Sequence, residues 1–392
     1  MYLKRQSYIV IAIVAMLAFF SGAARAADVA IAGFAFAGEF STAKTRFPYA
    51  FQVYKRLQAQ AGAGSLSRQV TERIRQTQNP ALSFMPSDAL LNLRKSDQAL
   101  MTVLLLTGET VSTENFGSYY KTFVNLRGDA LIFDYKNQTV VRSYPISVAL
   151  FDATPNEPSA ERIDSFVEQM LLREDGKGLL TQFSNRLATA TLPVPGHHNI
   201  QVRKAELAPE ALAMMPEALR SHPKVLESML ADSFASILSA KSGVPVLPSS
   251  VGHAMGTMAL RLENGDEYNL KLEEGHYLFD IRLNKFAKIK TAETKVGTSY
   301  VYGAYANVHF YEPTLNTDFL NTDLKNGEVA VVPAGLLASD DFAAFQDAVR
   351  GMFLKLNDAF ETPDSKWAAT AASAKDIVKQ LEATRVILKA SK

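Results

Sequence analysis

The hydrophobic positions of this chain switch repeatedly between a period of two and a period near four. Val29-Ala30-Ile31-Ala32-Gly33-Phe34-Ala35-Phe36 reads as a strand with Phe34 and Phe36 on one face. Phe47 to Gln60 reads as a helix, with Pro48 at a permitted first-turn position. Leu66, Val70 and Ile74 recur every four residues among Arg and Gln, which predicts a surface helix ended by Asn79-Pro80. Leu82-Ser83-Phe84-Met85-Pro86-Ser87 is a short buried strand stopped by Pro-Ser, and Ser87 or Asp88 can cap a short helix from Ala89 to Leu93. Strands are expected at Met101 to Gly108, Tyr119 to Leu126, Ala130 to Tyr135 and Val140 to Phe151. Pro145 cannot donate to a ladder and belongs at an edge or bulge. Ile163, Phe166, Val167, Met170 and Leu171 then form the apolar face of a helix, and Leu179 to Ala190 forms another.

The second half repeats this order. Val244-Pro245-Val246-Leu247-Pro248-Ser249 is a near copy of the Phe84 strand, 162 positions on. A helix from Val225 to Ala240 precedes it, as Leu66 to Ile74 precedes the first copy. Met258 to Leu262 and Tyr268 to Leu272 alternate around Asn264-Gly265, a strong hairpin signal, placed here in the second sheet. Tyr277 to Leu283 continues the meander. The alternating stretch Tyr300 to Tyr311 is matched to Val140 to Phe151, and Lys325-Asn326-Gly327-Glu328 reads as a tight turn. Ser339 or Asp340 caps a closing helix carrying Phe342, Phe345, Val349, Met352, Phe353 and Leu356. Residues 364–389 read as one Ala-rich helix packing through Trp367, Ile377, Leu381 and Val386.

The pattern predicts an α/β (α+β sandwich) class: two tandem, diverged copies of a mixed-sheet unit, with helices mainly on one face, plus a C-terminal helix. A meander is antiparallel while a strand–helix–strand passage needs a crossover, so each sheet must be mixed. The expected organisation is a signal peptide over 1–26, a first unit over 27–191, a linker over 192–199 at Leu192-Pro193-Val194-Pro195-Gly196, a second unit over 200–363 and the C-terminal helix over 364–392.

Composition narrows the setting. Lys4 and Arg5 precede an apolar run from Tyr8 to Phe20, and Ser21 to Ala26 supplies small residues with an A-x-A ending. That is the pattern of a secretory signal cleaved after Ala26, and no later stretch approaches a membrane helix. Removing Lys4, Arg5 and Arg25 leaves a formal charge of −2, which offers no basic excess for nucleic acid. The chain has no Cys, which excludes disulfides and thiolate metal sites. A Cys-free exported chain points to a Gram-negative periplasm.

The sequence shows no catalytic constellation. The six histidines show no H-x-x-x-H spacing, and His197-His198 would point opposite ways on a strand. No G-x-S-x-G elbow or phosphate loop occurs. Ser249 with His253, after Pro248, could serve a hydrolase, and Glu273-Glu274 reads as a solvated bend. The least ordinary surface candidates are Tyr300, Tyr302, Tyr305 and Tyr311. The first two share one face of a strand, the last two the other. Tyrosine suits interfaces, where an apolar body meets a polar rim.

The order of elements resembles the periplasmic domains of the curli-secretion subunit (CsgG) and the amino-terminal domain of TolB. Those families open with an apolar strand of the V-A-V-L-P-F kind, which Val29-Ala30-Ile31-Ala32-Gly33-Phe34 echoes without the proline. The resemblance implies an envelope assembly role without catalysis and carries over no site residues. The expectation is a non-catalytic periplasmic protein that binds another envelope protein or itself, with no catalytic residue, cofactor or metal assigned. The alternatives are a hydrolase using a cleft after Pro248, and a small-ligand or lipid carrier with a groove between the units.

Overall fold

The computed structural model describes residues 26–38, 40–86, 99–249, 256–263, 265–335 and 340–392. The segment preceding Ala26, the Ser87/Asp88 cap with its short helix, His253, Asn264 and Ser339 lie outside the described residues.

The first half runs β1 (Ala27–Ala37), α1 (Phe40–Arg46), α2 (Pro48–Ala61), α3 (Ser65–Arg75), β2 (Leu82–Met85) and β3 (Leu100–Asn115). β4 (Tyr120–Asp134), β5 (Thr139–Thr154), α4 (Ala160–Leu172) and α5 (Leu179–Thr189) complete it. The second half opens with β6 (Ile200–Leu207), α6 (Pro209–Ala213), α7 (Glu217–Arg220), α8 (Pro223–Ser242) and β7 (Val246–Leu247). A hairpin of β8 (Thr257–Leu262) and β9 (Glu267–Lys271) follows, then β10 (Tyr277–Thr294), β11 (Gly297–Glu312) and β12 (Thr317–Pro333). α9 (Asp341–Glu361), α10 (Lys366–Ala371) and α11 (Ile377–Ala390) close the chain.

The two halves have the same topology. The first sheet contains the order β2-β1-β3-β4-β5, and the second is β7-β6-β10-β11-β12 in mirrored listing. In each, the opening strand pairs in parallel with its two neighbours and the remaining strands form an antiparallel meander. Val29 pairs with Phe84, and Ile200 with Val246, so the sequence repeat of the proline-stopped strand is also a repeat in register. Both opening strands carry one extra residue after the third matched pair, Ala32 in β1 and Arg203 in β6. Both closing helices start at a side-chain cap. Ser159 Oγ accepts from Arg162 N at 3.3 Å, and Asp340 Oδ1 accepts from Phe342 N at 2.9 Å.

Several expectations are corrected. The β8–β9 hairpin forms, but in the first sheet: β8 pairs with the end of β1, and Lys271 pairs with Thr139 of β5. Glu263 explains part of that choice, because its carboxylate accepts from Leu66 N at 3.3 Å and Ser67 N at 2.6 Å, capping α3. Tyr120–Asp134 is one strand, not two. Gly128 is tolerated there because a Cβ would come within 2.6 Å of the Leu105 carbonyl on β3. Asn326-Gly327 is no turn but lies inside β12. The Asn326 amide donates to the Ala348 carbonyl at 2.9 Å, and Gly327 pairs with Gly303. By order and pairing, the Tyr300–Tyr311 stretch corresponds to β4 rather than to Val140–Phe151. The Ala-rich tail breaks into α10 and α11, because Ser373 N and Ala374 N donate to Thr322 Oγ1 on β12. Val386 is then exposed, while Leu381 and Leu388 form the buried stripe of α11.

The first sheet is covered on both faces. Helices α2 to α5 pack on one side, and α8 of the second half contributes to the other. β4 is accordingly buried without alternation from Thr122 to Asp134. The second sheet has α8 and α9 on one face, where Phe234, Phe279, Phe310 and Phe353 are fully buried. Its other face shows the alternation of an open sheet: along β12, Leu320, Thr322, Leu324 and Asn326 are buried while Asn321, Asp323, Lys325 and Gly327 are exposed.

Candidate functional site

β11 places the four tyrosines as the period of two requires, but the two faces have different tasks. Tyr302 is 1% exposed and belongs to the core. Its hydroxyl donates to Asp341 Oδ1 at 2.8 Å, and its ring meets Phe345 edge-on at 5.4 Å. Lys288 Nζ binds the same carboxylate at 2.8 Å and lies 4.5 Å from the centre of the Tyr300 ring. Desolvation, then the bond to Asp341, raises the Tyr302 phenol. Tyr300 and Tyr302 therefore fasten β11 to the start of α9.

Tyr305 and Tyr311 stand on the open face. Tyr311 stacks on His309 at 4.4 Å and has the Arg203 guanidinium 5.3 Å from its ring centre. Its phenol is pushed up to about 12, chiefly by desolvation and then by the Asp280 carboxylate. His309 Nε2 lies 2.6 Å from Asp318 Oδ1. These groups satisfy one another. Tyr305 is different: it borders a shallow groove of about 440 Å³.

The groove is built by strand register. Ala287, Gly303 and Gly327 align across β10, β11 and β12, so its floor lacks side chains beyond a methyl group. On one side Lys285, Tyr305 and Lys325 align, and the Lys285 ammonium sits 5.2 Å from the Tyr305 ring centre. On the other side Ile289, Val301 and Val329 align. Trp367 and Lys355 reach in from α10 and α9. The apolar row continues toward the strand ends, where Ile289 is 55%, Val331 61%, Val329 70% and Val296 81% exposed. Such β-branched side chains in one patch on a long ribbon are the pattern of a contact surface rather than of scattered surface apolars.

The tyrosine spacing alone reveals neither the glycines nor the cross-strand alignment. A signal existed: Gly303 and Gly327 each interrupt an otherwise alternating stretch, and a glycine in a strand marks close approach or a groove.

A second polar centre lies where the two halves meet. Arg127 of β4, 5% exposed, places Nε 3.0 Å from Asp232 Oδ2 on α8. Its Nη1 donates to Thr110 Oγ1 and Asn125 Oδ1, each at 2.9 Å. Gly108 is required opposite it, since a Cβ there would meet the guanidinium at 2.3 Å. Asp129 accepts from Ser143 Oγ at 2.8 Å, and burial pushes its carboxyl up to about 7. Glu109 accepts from Tyr49 N at 3.0 Å and Ala50 N at 2.7 Å, and desolvation outweighs those bonds to push it up to about 7 as well. Nothing in sequence spacing announces this centre, because its partners come from opposite halves.

His198 and His276 meet edge-on at 5.6 Å, while His197 is turned back toward the Val194 carbonyl. Ser249 is buried. Among the described residues no group of three or more His, Asp or Glu side chains could hold a metal ion. Among them also, no helix is long and apolar enough to cross a membrane.

No family model matches the chain, and no curated protein matches it. Solved structures similar to the chain include two that match less than half of it. One is protein XCC0632 from Xanthomonas campestris, of the family DUF330, at 14% identity, covering 42% of this chain and 86% of that one with a TM-score of 0.23. The other is a homologue of neuraminyllactose-binding hemagglutinin from Helicobacter pylori, at 12% identity, covering 45% and 94% with a TM-score of 0.22. Likeness at this level carries no functional argument.

Proposed function

We propose that this chain is a non-catalytic exported protein of the periplasm that binds another cell-envelope component through the open face of its second sheet. The observation that carries the reading is the in-register row Ile289–Val301–Val329 beside the glycine-floored groove at Tyr305. The central strand β4 of the first sheet is buried on both faces, and among the described residues that sheet exposes no comparable aliphatic row. The groove pairs exposed aliphatic side chains with Lys285 and Lys325, while Lys355 is paired with Glu328, so it fits a segment with apolar residues and an acidic rim. Export is supported by the basic, apolar and A-x-A order of residues 1–26.

The test is site-specific photo-crosslinking in intact cells. A photoreactive residue is placed at Tyr305, at Val329 and, as an exposed control remote in sequence, at Glu157. The expected result is one discrete adduct shared by positions 305 and 329 and absent at 157, from protein recovered in the periplasmic fraction and beginning after Ala26. The absence of an adduct at both groove positions, or the same adducts at all three, would refute the surface. Recovery in the cytoplasm with an intact N-terminus would refute export.

A further inference from the structure

A separate cleft of about 500 Å³ lies at the junction of the halves, and nothing in the proposed envelope contact uses it. Its floor is β3 from Thr107 to Val111, just beyond the point where pairing with β1 ends at Leu106. Its far wall is α7 and the start of α8. At the floor is Arg127, a buried cation whose Nε and Nη1 are engaged by Asp232, Thr110 and Asn125. No described group bonds to its Nη2. Thr107, His222, Arg46 and Lys224 also line the cleft, while Phe47, Val111 and Leu219 line the rest with apolar surface.

We propose that this cleft binds a small organic monocarboxylate, with its head on Arg127 and an apolar body between Phe47, Val111 and Leu219. Three facts select that class. A buried guanidinium with an open N–H edge takes a planar oxyanion by charge-assisted hydrogen bonds. The volume is that of a drug-sized ligand site, too large for a bare ion and lined mainly by apolar atoms. Arg46 and Lys224 line the same cleft with Glu109, so its charge favours an anion, and the apolar surface of Phe47, Val111 and Leu219 favours an organic anion over inorganic phosphate. Burial holds Glu109 up to about 7, which lessens its negative charge toward an incoming carboxylate in mildly acidic solution.

The experiment is calorimetric titration of the mature chain at pH 6 with sodium octanoate, alongside 1-octanol and inorganic phosphate. Octanoate is expected to bind one saturable site, 1-octanol at least tenfold more weakly, and phosphate not at all. Ala218→Trp places an indole in the cleft from an exposed position on α7 and is expected to reduce octanoate affinity at least tenfold. Arg127→Met should do the same, but it removes a buried ion pair, so the exposed variant decides the matter if Arg127→Met does not fold. Val386→Lys, at an exposed position on α11, is expected to leave octanoate binding unchanged. Failure of octanoate to saturate a site, or unaltered affinity in Ala218→Trp, would overturn the proposal. Equal affinity for 1-octanol would overturn the role of Arg127, and preferential binding of phosphate would overturn the carboxylate class. None of these results bears on crosslinking at Tyr305, so the two readings fail separately.

Discussion

Gln138 and Asn316 hold the same left-handed backbone conformation at the same place in two different sheets. Their φ angles are 50° and 48°, and among the described residues they are the only non-glycine residues with positive φ. Each ends a tight connection and immediately precedes the returning strand, Thr139 opposite Asp134 in one sheet and Thr317 opposite Glu312 in the other. A shared departure from ordinary backbone geometry, together with the matching extra residue at Ala32 and Arg203, argues for duplication more strongly than shared element order.

The conformation also predicts a difference between the copies. Asn tolerates the left-handed region better than Gln because its short side chain bonds locally. Gln138→Gly is therefore expected to stabilise the protein by about 0.5–1 kcal/mol, net of the extra chain entropy of glycine. Asn316→Gly should change stability by less. Thermal midpoints of the two variants, measured together, check this; an equal or reversed effect would show that the turns are held by their surroundings rather than by local strain.

The Arg127–Asp232 pair joins the halves, and its removal should be felt asymmetrically. Arg127→Met leaves a carboxylate on α8 with no counter-charge and is expected to cost about 3–5 kcal/mol. Adding Asp232→Leu should recover much of that loss, since replacing both members of a buried pair by apolar groups is often neutral. Urea unfolding of both single variants and the double variant measures the coupling. Additive losses would mean that the pair does not act as a unit.

Asp129 and Glu109 predict a pH dependence. Burial raises both folded carboxyls to about 7, above the ordinary range near 4. Between those values the folded chain holds protons that the unfolded chain has released, so stability from these groups is complete below about pH 4 and declines as pH rises through 7. The expected result is a higher thermal midpoint at pH 5 than at pH 8. Asp129→Asn keeps an acceptor for Ser143 Oγ and should flatten the profile. A midpoint that rises from pH 5 to 8, with no change in the variant, would contradict the assignment.

The sequence carried much of this architecture, and its losses have physical causes. Phe84 and Val246 were matched by a proline-stopped apolar pattern, and the register of β2 and β7 agrees with that match. Leu66, Val70 and Ile74 are buried as their spacing required. The β8–β9 hairpin was legible as a hairpin but not as a member of the first sheet, because strand partnership over such a separation depends on contacts such as Glu263 capping α3. Asn326-Gly327 looked like a turn because local propensity cannot register an amide that bonds to the Ala348 carbonyl on another element. The cleft at Arg127 was invisible for the same reason: Asp232 and His222 reach it only after the halves pack.

The tyrosines give the sharpest separation of structure from contact. Alternation places Tyr302 and Tyr305 on opposite faces of β11, and only the first is tied to the core. Tyr302→Phe removes a hydrogen bond to the Asp341 carboxylate and is expected to cost about 1–2 kcal/mol while leaving the crosslinked adduct at Val329 intact. Tyr305→Ala removes an aromatic wall from the groove, so it should leave stability within about 0.5 kcal/mol and weaken the adduct several-fold. Thermal melting and adduct yield, measured on both variants, form a two-by-two test. If Tyr302→Phe depleted the adduct as much as Tyr305→Ala, the open face would be reporting the integrity of the second unit. If neither did, the partner would have to dock elsewhere, and the exposed row from Ile289 to Val329 would need another explanation.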